Sequence, residues 1–283
     1  MNHGVSVIIP SYNRMQVLRR ALDSVIAQTF HPLEIIVVDD GSTDDTQSLI
    51  EQFYPRVNYL YQPNQGVSKA RNEGVGHSRY DWLAFLDSDD EWLPLKIEKQ
   101  MTALRQQPEH RFCHTDEIWI RDGKRVNPMS KHAKSGGFIF EDCLPLCSIS
   151  PSSALIRRDL FEQTGGFDEQ LPACEDYDLW LRICVANPVL FLNQPLLRKY
   201  GGHADQLSRK HWGMDRFRVK ALEKILHSGP LNARQKAAVV NALLRKCEIL
   251  ANGARKRGQG ERAAHYAAKL ACYQQRPIEQ ACP

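Results

Sequence analysis

The sequence predicts an α/β protein: a doubly wound, mostly parallel sheet followed by a C-terminal helical extension. Two observations lead to this prediction. Short apolar runs of strand length alternate with amphipathic segments of helical spacing through the first third of the chain. Polar and acidic residues follow each apolar run, as they do where ligand-binding loops leave the carboxyl ends of parallel strands.

Four apolar runs are expected to form buried parallel strands, since strands covered on both faces carry continuous apolar sequence. They are VSVIIP (5–10), EIIVVD (34–39), VNYLY (57–61) and WLAFLD (82–87). A helix that Pro32 helps to close is predicted between the first two runs, another from Ser42 or Thr43, and a third from Ser68 to about Gly76. Right-handed crossovers would then place any ligand beyond the carboxyl ends of the strands.

The pattern changes after residue 110. A hairpin is predicted around Asp122-Gly123, and the polar stretch 128–137 is predicted to be a mobile loop over a site. A helix is expected from Asp176 to about residue 186. Residues 211–274 should form two or three amphipathic helices, with breaks near Ser228 and near two later glycines, Gly253 and Gly258.

The net charge of +4 conceals a strong asymmetry. Residues 1–205 hold 21 Lys and Arg against 28 Asp and Glu, whereas residues 206–283 hold 16 against 5. We therefore expect a functional domain over 1–205 and a basic helical extension over 206–283. The extension is either the contact surface for an anionic partner, such as a lipid surface, or a solvated helical face.

Several classes of protein are disfavoured. No apolar run approaches the roughly 18 residues that span a bilayer, and the N-terminus lacks a secretory signal pattern, so a cytoplasmic protein is expected. The first turn lacks G-x-G-x-x-G and no P-loop motif occurs, which argues against a dinucleotide enzyme and a P-loop nucleotidase. The eight cysteines lack zinc-site spacing. Nucleic-acid binding has no motif beyond the basic extension, so no nucleic-acid partner is expected.

Four polar loops are expected to converge on one crevice. They are Pro10-Ser11-Tyr12-Asn13, Asp39-Asp40-Gly41-Ser42, Asn64-Gln65-Gly66 and Asp87-Ser88-Asp89-Asp90. In the last of them, two carboxylates lie two positions apart. Such hard oxygen ligands suit Mg²⁺ or Mn²⁺ held jointly with a substrate diphosphate. The alternative is an acidic turn that caps the helix after it.

Five segments of the chain resemble the ordered motifs of the family 2 glycosyltransferases of the A-type fold, over residues 4–205. They are VSVIIPSYNR, EIIVVDDGSTDDT, NQGVSKARNEG, WLAFLDSDDEWLP and GGFDEQLPACEDYDLWLR. The resemblance implies a Rossmann-like nucleotide-binding half and transfer of a sugar from a nucleoside-diphosphate donor. It does not cover the C-terminal extension.

The resemblance also implies roles for individual residues. Pro10 and Tyr12 match the loop against the nucleotide base and ribose, and Asp40 matches the carboxylate that accepts a hydrogen bond from the uracil ring. Asn64 and Arg71 match the region that completes the nucleotide and phosphate contacts.

The remaining matches concern the metal and the chemistry. Asp89 corresponds to the direct metal ligand, Asp87 lies nearer the ribose and the metal's waters, and Ser88 between them joins the nucleotide-sugar site. Asp176 corresponds to the general base, and His203 to a histidine that some members bring back to the metal and diphosphate. Trp180, one helical turn after Asp176, is either a sugar platform or a core residue.

The function expected from these roles is inverting, metal-dependent transfer of one sugar, with UDP as the favoured nucleotide. The acceptor would be a hydroxyl of a glycan or lipid-linked molecule in bacterial cell-surface polysaccharide synthesis. The Q-x-x-R-W motif of processive members is absent from the sequence. Peripheral contact of the extension with the anionic inner face of the cell membrane is a further expectation.

Two other functions compete with this expectation. A sugar-nucleotide nucleotidyltransferase would carry a glycine-rich loop and a lysine after the first strand, where this chain has Pro10-Ser11-Tyr12-Asn13. A non-catalytic module that binds sugar nucleotides or glycans would not need both Asp89 and Asp176. That module remains the alternative function.

Overall fold

The structure, a computed structural model, describes residues 4–202 and 211–275. The strands in this part of the chain are β1 Val5–Ser11, β2 Leu33–Asp39, β3 Asn58–Tyr61, β4 Trp82–Phe85, β5 Glu91–Trp92, β6 Phe112–Arg121, β7 Lys124–Val126, β8 Leu155–Arg157 and β9 Leu190–Gly201. The helices are α1 Met15–Ile26, α2 Thr46–Phe53, α3 Val67–Gly76, α4 Lys96–Gln106, α5 Phe140–Cys143, α6 Arg158–Gln163, α7 Glu175–Cys184, α8 Asp215–Ser228, α9 Ala233–Lys256 and α10 Gly260–Gln275.

The nine strands form one sheet in the order β3-β2-β1-β4-β8-β6-β9-β5, with β7 paired to β6. The first four strands in this order are parallel, as predicted. Ile8 in the fully buried β1 pairs with Ile36 on one side and Phe85 on the other. Separate apolar clusters cover the two faces, as expected for a doubly wound sheet.

The other half of the sheet is mixed. Strand β8 runs antiparallel to β4 and to β6, whereas β9 runs parallel to β6 and antiparallel to β5. The β6–β9 pairing shifts register at Thr115/Asp116 and again between Asp116 and Ile118. Such bulges bend a strand and redirect its side chains, which here lie beside the crevice.

One predicted helix begins later than its sequence suggests. Helix α2 starts at Thr46, although Ser42 or Thr43 was the predicted start. The Asn13 side chain accepts a hydrogen bond from the Thr43 backbone N–H at 2.7 Å, so these residues stay in the loop. Asp44 then accepts from both the backbone and the hydroxyl of Thr46.

The C-terminal helices share a core with the sheet domain. Phe217 and Leu222 of α8 and Leu243 of α9 belong to the same buried cluster as Phe85 and Trp180. Helix α9 continues through Gly253, where a break was predicted, while the breaks at Ser228 and Gly258 are present. The division at residue 205 falls outside the described residues and stays a prediction.

No helix in the two described ranges is both long enough and apolar enough to span a membrane.

Candidate functional site

A cavity of about 1000 Å³ opens at the carboxyl ends of the parallel strands. It brings together all the sequence-predicted site residues that the structure describes, which are Pro10, Tyr12, Asp40, Asn64, Arg71, Asp87, Ser88, Asp89 and Asp176. His203 was also predicted to belong to the site, and it lies outside the described residues. Elements more than 160 residues apart in sequence therefore meet in one space.

Asp40 organises the loop at one end of the cavity. Its Oδ1 accepts hydrogen bonds from the Gln62 amide side chain at 2.6 Å and from the Gln65 backbone at 2.8 Å, and its Oδ2 accepts from the Gly66 backbone at 2.8 Å. The carboxylate is 4% exposed yet borders the cavity. Asp40 thus fixes the backbone around Asn64 from inside the site.

Gly41 allows two loops to approach each other closely. Its φ of +86° lies in the left-handed region, and a Cβ there would meet the Asn64 backbone nitrogen at 2.8 Å. Only glycine satisfies both conditions without strain. The close approach holds Asn64 against the loop that follows β2. In the loop after β1, Tyr12 is 41% exposed and Pro10 is buried.

The acidic loop after β4 holds three carboxylates in two different environments. Asp87 and Asp89 face the cavity, with side chains that are 28% and 13% exposed. Asp90 is buried, and it accepts hydrogen bonds from the Ser152 hydroxyl and from the Tyr200 backbone. Burial raises the pKa of Asp90, and the nearby charges of Asp87 and Asp89 raise it further. Asp90 therefore fixes the loop, while Asp87 and Asp89 face the ligand space.

Arg71 connects the acidic loop to helix α7. Its guanidinium donates to Asp87 Oδ1 at 2.8 Å and to Glu175 Oε1 at 2.6 Å, and it lies over the Phe167 ring. Although burial lowers the pKa of Arg71, the two carboxylates raise it by more. The guanidinium stays charged, and two carboxylates already neutralise it.

The donor atoms at Asp87 and Asp89 fit a divalent cation. Arg71 occupies Oδ1 of Asp87 and Arg14 occupies Oδ2 of Asp89, whereas the other oxygen of each carboxylate accepts no hydrogen bond from a described residue. Carboxylate oxygens are the ligands that Mg²⁺ and Mn²⁺ prefer. The described residues contain no group of three or more His, Cys, Asp or Glu able to hold a metal alone. A cation here would share its coordination with a ligand such as a diphosphate.

Asp176 lies on the first turn of α7, where the helix dipole favours negative charge. Cys174 precedes the helix in a left-handed conformation, with φ of 62°, and turns the chain so that Asp176 reaches the cavity. Asp176 Oδ2 lies 3.2 Å from the Cys147 sulfur, and Oδ1 accepts from the Tyr177 backbone N–H. Burial and the Asp176 charge both raise the pKa of the Cys147 thiol, so Cys147 is a neutral donor.

Trp180, one turn after Asp176, is buried against Phe112 and belongs to the core.

The predicted 128–137 loop does border the cavity, and a buried ion pair anchors it. Lys134 donates to Glu117 of β6 at 2.9 Å, and both side chains are less than a tenth exposed. Ser150 and Trp119 donate to the same Glu117 carboxylate. His132 packs against the Trp119 ring, with centroids 5.0 Å apart, and both rings line the cavity. The loop thereby completes an aromatic wall.

The sequence motifs did not predict several residues that line the cavity. Glu117 and Trp119 lie on β6, Lys199 lies on β9, and Arg218 comes from α8 of the C-terminal extension. Charged and aromatic residues within apolar strands were the available signal for the first three. Nothing in the sequence indicated Arg218, because only the packing of the extension brings it to the cavity.

Comparisons of sequence identify a family and several relatives that are similar to this chain. Residues 6–165 match the family described as Glycosyl transferase family 2. An uncharacterized glycosyltransferase of Rickettsia prowazekii is 33% identical over 199 residues, which cover 69% of this chain and 63% of that protein. Chondroitin synthase of Escherichia coli is 28% identical over 193 residues, which cover 67% of this chain and 28% of that protein. The chain thus spans less than two thirds of either relative.

Solved structures show the same fold at low sequence identity. Residues 1–349 of S. aureus TarS in complex with UDP-GlcNAc superpose with a TM-score of 0.72 at 19% identity, over 95% of this chain and 81% of that one. A mannosyltransferase from Pyrobaculum calidifontis in complex with GDP-Man and Mn²⁺ superposes with a TM-score of 0.62 at 19% identity. The superposition covers 97% of this chain and 81% of that one. The predicted A-type glycosyltransferase fold is confirmed. With a family match over more than half its length, the chain belongs to glycosyl transferase family 2.

Proposed function

We propose that the protein transfers one sugar, with inversion and with a divalent cation, from a nucleoside-diphosphate donor to an acceptor hydroxyl. UDP is the proposed nucleotide and Mn²⁺ or Mg²⁺ the proposed cation. The acceptor is a glycan or lipid-linked molecule of cell-surface polysaccharide synthesis. The observation that carries the proposal is the shared cavity, which holds Asp87 and Asp89 together with Asp176.

The donor half of the cavity comprises the lining residues of 10–14, 40, 64–71 and 87–90. Tyr12 offers an exposed ring for a base, and the Asp40-centred loop presents a rigid polar edge. Asp87 and Asp89 would hold the cation, which when bound neutralises the diphosphate charge. TarS with UDP-GlcNAc and the mannosyltransferase with GDP-Man and Mn²⁺ support a nucleotide sugar as the ligand.

The acceptor half comprises the lining residues of 117–134, 147–151, 169–176 and 214–218, while Lys199 and Tyr200 are assigned to neither half. Asp176 is the proposed base, since its carboxylate faces the cavity and is only partly engaged by its neighbours. It takes the proton of the acceptor hydroxyl as that oxygen bonds to the anomeric carbon. The bond from that carbon to the diphosphate breaks on the opposite face, which inverts the configuration.

Thermal unfolding tests the donor assignment. The protein is heated with UDP, GDP, CDP or ADP, each with Mn²⁺, with Mg²⁺ or with chelator. A ligand at 100 times its dissociation constant adds about 2.7 kcal/mol, enough to raise the midpoint by several degrees. We expect metal-dependent stabilisation by UDP. Stabilisation by GDP alone would correct the nucleotide, and none by any of the four would favour the non-catalytic module.

The basic extension is the proposed contact with an anionic membrane. Arg245 and Lys256 on α9 and Arg257 directly after it are exposed, as is the side chain of Ile249 on the same helix. Arg216 and Arg262 both lie over the ring of the exposed Trp212. Basic residues near an anionic surface each contribute about 1 kcal/mol, and an exposed Trp suits the interface.

Flotation with anionic liposomes tests this contact. Because the extension shares the domain core, deleting it would unfold the protein, and charge removal is the cleaner change. Replacing Arg245, Lys256 and Arg257 with Gln should release the protein from the vesicles. The control removes three exposed charges elsewhere, at Arg56, Lys124 and Arg125. Equal flotation of both triple variants contradicts the proposal.

A further inference from the structure

Among the cationic side chains that line the cavity, Lys199 has an unusual set of neighbours. Four cationic side chains line the acid-rich region of the cavity: Arg14, Arg71, Lys134 and Lys199. The first three each form an ion pair with a carboxylate at 2.6–2.9 Å. The Lys199 ammonium makes no hydrogen bond or ion pair of that length with any described residue.

The backbone around Lys199 is fixed on both sides. Trp119 of β6 pairs with Lys199, and Glu91 of β5 pairs with Arg198 on the other edge of β9. The Tyr200 backbone donates to Asp90 and its hydroxyl donates to Glu91. Lys199 thus lies on a strand that is tied directly to the acidic loop.

Lys199 and Tyr200 both line the cavity, from opposite faces of β9. Arg198 and Tyr200 both reach Glu91, so their side chains leave the same face of the strand. Lys199, between them, leaves the opposite face and lines the cavity. Its flexible stem ends in a compact charge with three donors, which suits a phosphate oxygen.

Carboxylates from both ends of the proposed reaction surround this ammonium. Burial lowers the pKa of Lys199, but Glu117, Asp90, Asp87 and Asp176 raise it by more, so the side chain stays charged. Asp87 belongs to the proposed cation site and Asp176 is the proposed base. Lys199 therefore lies within electrostatic reach of both the proposed cation site and the proposed base.

We propose that Lys199 is a catalytic residue that contacts the donor diphosphate and stabilises it as the leaving group. This inference rests on the proposed function. When the acceptor oxygen bonds to the anomeric carbon, the electron pair of the broken carbon–oxygen bond passes to the diphosphate. The Lys199 ammonium, which keeps its proton, offsets that added charge. Arg71, which the family resemblance matches to the phosphate contacts, is already neutralised by Asp87 and Glu175.

The test compares a nucleoside diphosphate with its nucleoside. Calorimetric titration with UDP and with uridine, both with Mn²⁺, is run on the full chain, on Lys199→Met and on Lys199→Arg. A lost charged hydrogen bond should weaken UDP binding by about 10-fold to 100-fold in Lys199→Met, and leave uridine binding unchanged. The arginine variant should keep most of the UDP affinity. Single-turnover transfer should slow by about 10²-fold in Lys199→Met.

Controls separate this role from a structural one. Lys124→Met, on exposed β7, should match the unchanged protein in every measurement. Lys199→Gln is measured in parallel, so that a folding defect of the methionine variant does not decide the outcome. Equal loss of UDP and uridine binding, or no loss of either, overturns the inference while the proposed function stands. If the unchanged protein binds none of UDP, GDP, CDP or ADP, both fail.

Discussion

The proposed donor and acceptor halves of the cavity are built in different ways. In the donor half, loops that directly follow parallel strands supply the polar groups, and hydrogen bonds to neighbouring loops fix them, as at Asp40. In the acceptor half, the groups come from the mixed part of the sheet, the 128–137 loop and helices α7 and α8. The donor half is assembled from the loops of successive parallel strands, and the acceptor half from elements of several different kinds.

This difference shows where specificity can vary without loss of fold. The donor half is continuous with the four parallel strands, so changing it disturbs the central core. The acceptor half is held by a few long-range contacts, among them the Glu117–Lys134 pair. We expect changes in each half to affect different measurements, and four predictions test that separation.

The largest expected effect is on transfer itself. Asp176→Asn should lower the transfer rate by about 10²–10⁴-fold, because an amide cannot take the acceptor proton. Binding of UDP with Mn²⁺, measured by calorimetry, should stay within about twofold, because Asp176 belongs to the acceptor half. Asp45→Asn, at an exposed position before α2, is the matched control. Unchanged transfer by Asp176→Asn removes this residue from the role of base.

The next largest effect concerns the link between the halves. Arg71→Met leaves Asp87 and Glu175 without their shared partner and should lower the free energy of unfolding by about 3–5 kcal/mol. Urea unfolding measures the loss. Adding Glu175→Gln should restore part of it, since one buried charge is then removed. An unchanged midpoint for Arg71→Met would show that solvent reaches these carboxylates freely.

A pH-dependent effect follows from His114 beneath the 128–137 loop. Burial lowers the pKa of His114 to about 3, with the Lys134 charge adding to the shift, and Nε2 lies 2.9 Å from the Ser135 carbonyl. Between about pH 6.5 and 3 the unfolded chain binds the extra proton, so stability falls as the pH is lowered.

The expected slope from His114 is about 1.4 kcal/mol for each pH unit in that range. Urea unfolding at pH 6.5, 5.5 and 4.5 should show a flatter dependence for His114→Gln than for the unchanged protein. His77→Gln, on an exposed helix end, should keep the original slope. Equal slopes of the free energy of unfolding against pH for all three proteins would contradict this prediction. They would mean that His114 binds a proton equally well in the folded and the unfolded state.

The smallest effects should separate the two halves by substrate. Tyr12→Ala should raise the KM for the donor by about tenfold, because a base loses its stacking surface. Trp119→Leu should raise the KM for the acceptor a few fold, because an aromatic contact is lost. Each variant should leave the other KM unchanged. Steady-state kinetics with both substrates varied measures the two KM values. A change in the acceptor KM for Tyr12→Ala, or in the donor KM for Trp119→Leu, would contradict the separation.

The same contrast explains what could be predicted from the sequence. The four parallel strands were predicted correctly because each is short, continuous and apolar, and the loops after them could be placed by the rule for such sheets. Their convergence on one cavity with Asp176 follows the prediction. The functional roles of these residues stay predictions.

The acceptor half could not be predicted in this way. The β6–β9 pairing joins residues about 80 apart and shifts register twice, so no local pattern specifies which side chains enter the cavity. Lys199, which belongs to neither half, lies in a strand without a recognisable motif. Only the fold brings its ammonium within electrostatic reach of Asp87, Asp90 and Asp176. The Arg71 bridge depends on α3 and α7 meeting, again a contact between distant segments.

The contacts that anchor the 128–137 loop are confined to one end of it, so the sequence of the other end can be changed without disturbing the fold. The loop is attached by Lys134 to Glu117, by the Ser135 carbonyl to His114, and by the Gly137 backbone to Val189. Residues 128–133 bear none of these attachments and still contribute His132 to the cavity wall. A library randomised over 128–133, with residues 134–137 retained, would therefore sample new acceptors on an intact scaffold.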